Sequence, residues 1–338
     1  MQNDTIQINA DHDQNSKSLC FSNKTINAEI NLPSSKSISN RALIINALSH
    51  SKLEVKNLSD SDDTKVLQNA LNSNAEIVDI GAAGTAMRFL TAYYAISEGE
   101  RILTGCPRMK QRPISILVDA LNSLGADIQY IENEGFPPLK ILGRSLDGGT
   151  IRIAADVSSQ YISALMMIAP CLKNGLKIIF SGKTVSAPYI QMTAAIMQKF
   201  GVRINFNDNI IDICKQKYQP TEFEVEADWS AASYCYEILS IAGKGQIMLN
   251  NLKNNSLQGD CRCVSLFALL GVATTFTPQG VIIEANGQYA SEFNCDFTDS
   301  PDLVQSVVVA CCMNNIKFCF DGLSTLKIKE TNRVQALI

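Results

Sequence analysis

Two cations and several hydroxyl groups open one predicted helix near the start of the chain. Residues 32–43 read LPSSKSISNRAL, which places Lys36 and Arg41 among four serines, and the apolar run ALIINAL follows. Unpaired N–H groups at a helix N-terminus favour anions, and an arginine can bind a carboxylate through two hydrogen bonds. A capped helix with a solvated face is the alternative interpretation of the same stretch.

Two further stretches carry chemistry suited to anions. In GAAGTAMRFL (81–90), Gly84 would let a ligand approach the backbone closely, and Arg88 follows one helical turn later. The segment LTGCPRMKQRP (103–113) combines Arg108, Lys110 and Arg112 with two prolines and a glycine, which predicts a stiff basic loop. The alternative interpretation of residues 81–90 is a helix-entry turn, and that of residues 103–113 is a solvated surface turn.

Acid–base chemistry is expected from carboxylates and lysines towards the end of the chain. Asp302 lies in SPDL, and KIKETNR carries Lys329 and Glu330. An acid and a lysine at the starts of neighbouring elements could exchange protons with a bound hydroxyl. The only histidines are His12 and His50, so a Ser-His-Asp or Cys-His mechanism is not expected.

The elements that must position these groups form a repeat. Helical segments such as SSQYISALMMIAPCL precede short strands such as GLKIIFSG, and other helical segments end near a glycine such as Gly125 or Gly201. From Gly84 onward the pattern recurs at roughly 70-residue intervals, which predicts duplicated α/β units. The last segment, KIKETNRVQALI, is predicted to be a helix in which the chain stops, so we expect a fragment of a longer protein.

Composition excludes several classes of function. A length of 338 residues predicts two domains, and a net charge of −4 argues against a general nucleic-acid surface. No stretch approaches the roughly 18 apolar residues of a membrane helix, and no apolar secretion signal is visible. The eleven cysteines include no C-x-x-C pair, so we expect no metal site and free thiols in a reducing cytoplasm.

The motifs taken in order resemble the 5-enolpyruvylshikimate-3-phosphate (EPSP) synthase family of enolpyruvyl transferases. The resemblance runs from about residue 28 to the last residue through LPSSKSISNRAL, NLSDSDD, GAAGTAMR, LTGCPRMKQRPI, VSSQYISAL, VSAPYI, NSLQGD, PD and KETNR. It implies transfer of the enolpyruvyl group of phosphoenolpyruvate to the 5-hydroxyl of shikimate 3-phosphate, a step of the shikimate pathway to aromatic amino acids. It also implies a cytoplasmic monomer without metal or organic cofactor.

The family fold implied is an α/β, two-domain, inside-out α/β barrel built of repeated βαβαββ units. The resemblance places a complete three-repeat domain at 34–227 and a second domain at 1–33 plus 228–338, with its last unit missing. The chain would cross between domains near residues 33–35 and 227–228. Because the family's Asp-His-Arg motif and a late lysine have no counterpart before residue 338, we expect impaired turnover.

Site residues follow from matching motif positions. Those that the resemblance assigns to shikimate 3-phosphate are Lys36, Ser37, Arg41, Ser158, Ser159, Gln160, Ser186, Tyr189, Asp302, Thr325 and Lys329. Those that it assigns to phosphoenolpyruvate are Lys36, Gly84, Arg112, Gln160 and Arg333. The residues that it makes catalytic are Asp302, Glu330, Lys36 and Lys329.

Two rival functions stay open at the level of sequence. The first is the sister transferase that acts on UDP-N-acetylglucosamine, whose reactive cysteine lies in the loop that matches 103–113, where this chain has Cys106. The serine pair at 158–159 and the stretch SKSISNR favour shikimate 3-phosphate instead. The second rival is a non-catalytic, truncated, anion-binding relative.

Overall fold

The computed structural model describes residues 7–9, 18–20, 25–154, 158–181 and 187–338. The strands in these residues are β1 (Gln7–Asn9), β2 (Ser18–Cys20), β3 (Ile26–Asn31), β4 (Val55–Lys56), β5 (Ile77–Asp79), β6 (Gly99–Thr104), β7 (Asp127–Tyr130), β8 (Leu139–Gly143), β9 (Gly149–Ala154), β10 (Leu176–Ser181), β11 (Asn205–Asn207), β12 (Ile210–Ile213), β13 (Phe223–Glu224), β14 (Gly245–Asn250), β15 (Leu270–Thr277), β16 (Gly280–Tyr289), β17 (Glu292–Asp296) and β18 (Lys317–Asp321).

The α-helices in the same residues are α1 (Lys36–Leu48), α2 (Asp62–Leu71), α3 (Gly84–Ile96), α4 (Ser115–Ser123), α5 (Ser159–Ile168), α6 (Ala187–Lys199), α7 (Trp229–Ala242), α8 (Cys263–Ala268), α9 (Val304–Met313) and α10 (Arg333–Leu337). Short 3-10 turns cover Met109–Gln111, Ala169–Cys171, Gly259–Arg262, Pro301–Leu303 and Ser324–Ile328. None of the helices described is long and apolar enough to cross a membrane.

Three four-stranded sheets share one strand order. The orders are β5-β6-β8-β7, β9-β10-β12-β11 and β3-β14-β16-β15. In each sheet the first two strands are parallel and the remaining pairs are antiparallel. The predicted α/β repeat is therefore confirmed, because the same unit recurs along the chain.

Two of these units are continuous and one is assembled from distant segments. Residues 77–143 and 149–213 each run strand, helix, strand, helix, strand, strand. In the third sheet, β3 near the start of the chain pairs with β14, more than two hundred residues later. The strands β17 and β18 pair in parallel with α9 between them. Closure of the sheets into a barrel stays a prediction.

The buried side chains form two hydrophobic clusters. One cluster consists of residues between Ile38 and Val225, and the other consists of residues between Ala227 and Leu326. Ile26 and Ile30 of β3 pack against the second cluster, although they precede the first cluster in sequence. The chain passes between the clusters at two adjacent points, where Ser35 N–H donates to Glu226 O at 2.9 Å and Asp228 N–H donates to Pro33 O at 2.9 Å.

Local signals account for where α4 and α6 end and where α10 begins, although this last helix is shorter than predicted. Gly125 and Gly201 have φ values of 99° and 82° just beyond α4 and α6, as predicted for glycines that end helices. The prediction of one helix over KIKETNRVQALI is wrong, because residues 329–332 are not helical and α10 begins at Arg333. The Asn332 side chain accepts a hydrogen bond from Gln335 N and so caps α10 at that point.

Candidate active site

A cleft of about 670 Å³ is lined by residues from both halves of the chain, where one half carries the first hydrophobic cluster and the other half carries the second. Thirteen of the site residues assigned from sequence line it: Lys36, Ser37, Arg41, Arg112, Ser158, Ser159, Gln160, Tyr189, Asp302, Thr325, Lys329, Glu330 and Arg333. Of the other two, Gly84 lies directly behind Arg112, and Ser186 lies outside the described residues. Groups more than two hundred residues apart in sequence therefore share one cavity.

The N-terminus of α1 forms part of the wall and is also capped. Ser35 is the N-cap, and its hydroxyl accepts a hydrogen bond from Ile38 N at 3.4 Å. Lys36 donates its backbone N–H to Asp228 Oδ2 at 3.3 Å, and its Nζ lies 3.7 Å from Asp63 Oδ1. The side chain of Lys36 is 44 % exposed, so the ammonium group is accessible to an anion in the cleft.

Arg41 is held rigidly by hydrogen bonds to three different residues. Its Nε donates to Thr193 Oγ1 at 2.7 Å, its Nη2 donates to Ser163 Oγ at 3.1 Å, and its Nη1 donates to Ser37 O at 2.9 Å. Burial lowers the pKa of Arg41 to about 10, which leaves the guanidinium charged at neutral pH. A charged group fixed in this way loses little conformational freedom on binding an anion.

The start of α5 presents polar groups from another direction. Ser158 is the N-cap, and its hydroxyl accepts a hydrogen bond from Gln160 N at 3.3 Å. The Gln160 side chain donates to Thr85 Oγ1 at 3.2 Å, which links α5 to the first turn of α3. Hydroxyls at a helix N-terminus suit a phosphate, because the N–H groups and the helix dipole favour negative charge there.

Arg112 has a buried guanidinium with unused donors. The residue is 5 % exposed, and its Nε and Nη1 atoms lack a hydrogen-bond partner among the described residues. The closest acid is Glu330, whose Oε1 lies 3.7 Å from Nη1. Gly84 makes room for this side chain, since a Cβ atom at position 84 would lie 2.3 Å from Nη1. A buried cation with free donors is a strong site for an anion.

The opposite wall carries a network of acids and bases. Asp302 Oδ1 lies 2.8 Å from Arg333 Nη1 and 3.7 Å from Lys329 Nζ, and Tyr189 donates its hydroxyl to Asp302 Oδ2 at 2.7 Å. Glu330 Oε2 accepts from Arg333 Nη2 at 3.1 Å. Each acid therefore faces cations, and the network joins Tyr189 of α6 to residues from the far end of the chain.

Charge and burial shift the pKa values of both acids. Burial alone would raise the pKa of Asp302, but Lys329 and Arg333 outweigh burial and hold that pKa well below its ordinary value. Burial likewise favours a higher pKa for Glu330, but its own backbone N–H and the cations Arg112 and Arg333 lower that pKa below the ordinary value. Both groups are carboxylates while those cations face them.

Sequence reasoning missed several acids close to the cleft. Asp63 and Asp228 line it, and each contacts Lys36. Asp260 lies behind the wall, 3 % exposed, and accepts a hydrogen bond from Ser230 Oγ at 2.5 Å. Burial and the nearby charge of Asp302 raise the pKa of Asp260 to about 7. Asp63 and Asp260 lie in motifs that the resemblance includes, NLSDSDD and NSLQGD, but no local signal distinguishes them from ordinary helix-start acids.

The repeated units and the cleft are those of an α/β protein in which cations line a cavity of a size suited to small molecules. The model of the EPSP synthase (3-phosphoshikimate 1-carboxyvinyltransferase) family matches residues 22–73 and 66–338. This chain belongs to that family.

Individual relatives agree with the family match. A 3-phosphoshikimate 1-carboxyvinyltransferase of Bacteroides fragilis is 52% identical over 313 residues, which are 92% of this chain and 76% of the relative. That of Photobacterium damsela subsp. piscicida is 37% identical over 341 residues, covering 92% of this chain and 79% of the relative. The solved EPSP synthase of Acinetobacter baumannii has the same fold, with a TM-score of 0.62 at 16% identity over 91% of this chain and 94% of that one.

Proposed function

We propose that this chain transfers the enolpyruvyl group of phosphoenolpyruvate to the 5-hydroxyl of shikimate 3-phosphate and releases phosphate. The observation that carries the proposal is the cleft itself, in which Lys36, Arg112 and Arg333 lie with Asp302 and Glu330. Two anionic substrates require several fixed cations, and the reaction requires a base and an acid beside them. The names of the relatives describe the same reaction.

For shikimate 3-phosphate, the proposed carboxylate site is Arg41 with Ser37. The position of Arg41 supports this assignment, because it lines the cleft and three hydrogen bonds hold its guanidinium in place. The proposed phosphate site is the start of α5, where the hydroxyls of Ser158 and Ser159 line the cleft. Gln160 and Tyr189 are proposed to border the carbon ring, Lys329 to lie beside the 5-hydroxyl, and Thr325 to stand at the position where the family often has an asparagine. Ser186 is assigned to the phosphate site by resemblance alone.

For phosphoenolpyruvate, the proposed partners are the three cations Lys36, Arg112 and Arg333, with Gln160 nearby. Gly84 contributes by leaving space for Arg112. Arg112 and Arg333 both face Glu330. A bound phosphate would take over these cations, and the pKa of Glu330 would then rise towards that of an ordinary buried acid.

The proposed proton transfers follow from this exchange of partners. Asp302, kept ionised by Lys329 and Arg333, accepts the proton of the 5-hydroxyl as its oxygen attacks the substrate carbon. Glu330, protonated once its cations engage the phosphate, gives a proton to the methylene carbon, which becomes a methyl group as the 5-oxygen adds to the neighbouring carbon. The Glu330 carboxylate then takes a proton back from that methyl group while the bond from the same carbon to the phosphate oxygen breaks, so the C=C bond is restored and phosphate leaves. Lys36 and Lys329 stabilise the negative charge that develops on the reacting oxygens of the substrates.

We also propose the domain division 34–227 and 1–33 plus 228–338, which the two hydrophobic clusters support. A monomer in the cytoplasm is proposed as well. Ten of the eleven cysteines, from Cys106 to Cys319, are free thiols, which suits a reducing compartment.

The rival transferase for UDP-N-acetylglucosamine has little support. Cys106, the residue that raised it, is not among the cleft-lining residues and packs instead against the first hydrophobic cluster. The family match also names the shikimate enzyme.

The test is calorimetry and phosphate release with the 338-residue chain. We expect heat on adding shikimate 3-phosphate, tighter binding of phosphoenolpyruvate in its presence, and release of phosphate when both are supplied. Asp302→Asn should lower kcat about 100-fold or more, while Asp299→Asn, an exposed acid three residues earlier, should leave it unchanged. Heat with shikimate 3-phosphate but none with phosphoenolpyruvate would identify the non-catalytic relative, and no heat with either substrate would refute the assignment.

A further inference from the structure

Arg108 connects the two halves of the chain across one end of the cleft. Its Nε donates to Glu330 O at 3.3 Å, and its Nη2 donates to Lys329 O at 3.2 Å. These partners are two consecutive backbone carbonyls, more than two hundred positions away in sequence. Arg108 itself is not among the cleft-lining residues, so its contacts are with the protein and not with the cavity.

The loop that carries Arg108 is firmly anchored. Met109, the next residue, is fully buried in the first hydrophobic cluster. Cys106 N–H donates to Gly81 O at 3.0 Å, and Gln111 N–H donates to the carbonyl of Arg108 itself at 3.1 Å. The guanidinium therefore extends from a fixed base, which makes it a suitable support for a less regular segment.

The segment that Arg108 contacts needs such support. Residues 329–332 lie between the 3-10 turn Ser324–Ile328 and α10, without regular secondary structure of their own. The side chains of Lys329 and Glu330 nevertheless face charged groups that line the cleft. Lys329 Nζ lies 3.7 Å from Asp302, and Glu330 lies 3.7 Å from Arg112 and 3.1 Å from Arg333.

We propose that Arg108 is a positioning residue for the transfer reaction, holding the Lys329–Glu330 backbone so that both side chains stay aligned with the cleft. This inference rests on the proposed function. Arginine suits the task, because its planar fork offers two N–H groups to two adjacent oxygens, whereas a lysine offers a single point of attachment. Catalysis depends on this alignment, since a displacement of about 1 Å at a catalytic group can cost about 100-fold in rate.

The test compares Arg108→Gln and Arg108→Lys with Lys110→Gln. Lys110 is a matched control, because it lies in the same turn and pairs with Glu132 of its own half at 2.6 Å. We expect Arg108→Gln to lower kcat about tenfold with a smaller rise in the KM for shikimate 3-phosphate, because Lys329 also borders that substrate, and Arg108→Lys to recover part of the loss in kcat. Lys110→Gln should match the wild type, and all three variants should keep the wild-type melting temperature.

A second measurement does not depend on turnover. Hydrogen exchange of peptides covering residues 324–338 should speed up in Arg108→Gln and remain unchanged in Lys110→Gln. Unchanged exchange in Arg108→Gln would overturn the positioning role even if the enzyme is active. Absence of turnover in the wild type, with faster exchange in Arg108→Gln, would refute the proposed function and leave the cross-cleft contact established. Equal kcat losses in Arg108→Gln and Lys110→Gln would also overturn the role, since they would indicate a general effect of charge.

Discussion

Replacing Gly84 with alanine should weaken the binding of phosphoenolpyruvate with little change in the melting temperature. The added Cβ atom would lie 2.3 Å from Nη1 of Arg112 and 2.8 Å from its Cζ. Ordinary contact begins near 3.4 Å, so the guanidinium must move by about 1 Å. The backbone is not expected to resist the substitution, because Gly84 begins α3 and is not among the residues with positive φ.

The expected loss of phosphoenolpyruvate binding follows from the contacts that Arg112 can make. Its Nε and Nη1 atoms are buried and lack a hydrogen-bond partner among the described residues, so an acceptor such as a phosphate oxygen that reaches them would satisfy donors that are otherwise unpaired. A hydrogen bond to a charged group contributes about 1.5–3 kcal/mol, and losing one such bond would weaken phosphoenolpyruvate about 10- to 100-fold. The KM for shikimate 3-phosphate should change little, because its proposed sites involve Arg41 and the start of α5.

The assay is initial velocity against each substrate, together with thermal unfolding. Gly84→Ala should change the melting temperature little, since the preference for alanine over glycine in a helix, at most about 1 kcal/mol, is offset by the cost of displacing the buried Arg112 side chain. Gly81→Ala is the control: its φ of +55° makes a side chain unfavourable, but its Cβ would meet nothing within 4 Å. That variant should lose stability and keep its KM. An unchanged KM for phosphoenolpyruvate in a well-folded Gly84→Ala enzyme would refute the reasoning.

Three further predictions concern the acids and Arg41. Tyr189→Phe removes the 2.7 Å hydrogen bond to Asp302, so the pKa of Asp302 should rise. The acid limb of the plot of kcat against pH should then move to higher pH, and a plot that coincides with that of the wild type would contradict this. The pKa of Asp260 is raised to about 7 in the folded protein, so near pH 5 the folded protein holds a proton on this group that the unfolded chain has lost. The free energy of unfolding should therefore fall as the pH rises from the ordinary pKa of an aspartate to about 7. Asp260→Asn should therefore unfold at a higher temperature than the wild type at pH 8 and at a similar one at pH 4, whereas a constant difference would argue against titration of Asp260. Arg41→Lys cannot retain both side-chain acceptors and should lower the free energy of unfolding in urea by about 2 kcal/mol, while an unchanged value would show that these contacts are dispensable.

The repeat was readable from sequence because it depends on local signals. Hydroxyl and glycine residues at helix starts, apolar periodicity within helices and glycines such as Gly125 at helix ends act over a few residues. The sequence also pointed to Lys36, Arg112, Asp302 and the serine pair at 158–159 as site residues. Their motifs are long enough to resemble one family, and the structure places all of them around one cleft.

The missed features depend on contacts between distant segments. The helix predicted through residues 329–332 is absent in a segment whose carbonyls face Arg108 from the other half of the chain. Asp228 gives no local sign that it will meet the N–H of Lys36, 192 positions earlier. Asp260 reads as an ordinary acid in a turn, and only burial and the approach of Asp302 shift its pKa.

The sequence by itself determined the α/β repeat, the kinds of side chain available and the family to which they belong. Only the tertiary structure decided the partners, for example that Arg112 faces Glu330 while Tyr189 and Arg333 share Asp302. The physical reason is the difference in sequence separation over which these interactions act. Helix caps and periodicity act within a few residues, whereas hydrogen bonds and ion pairs require atoms within about 4 Å, and the cost of burying a charge depends on everything packed around it.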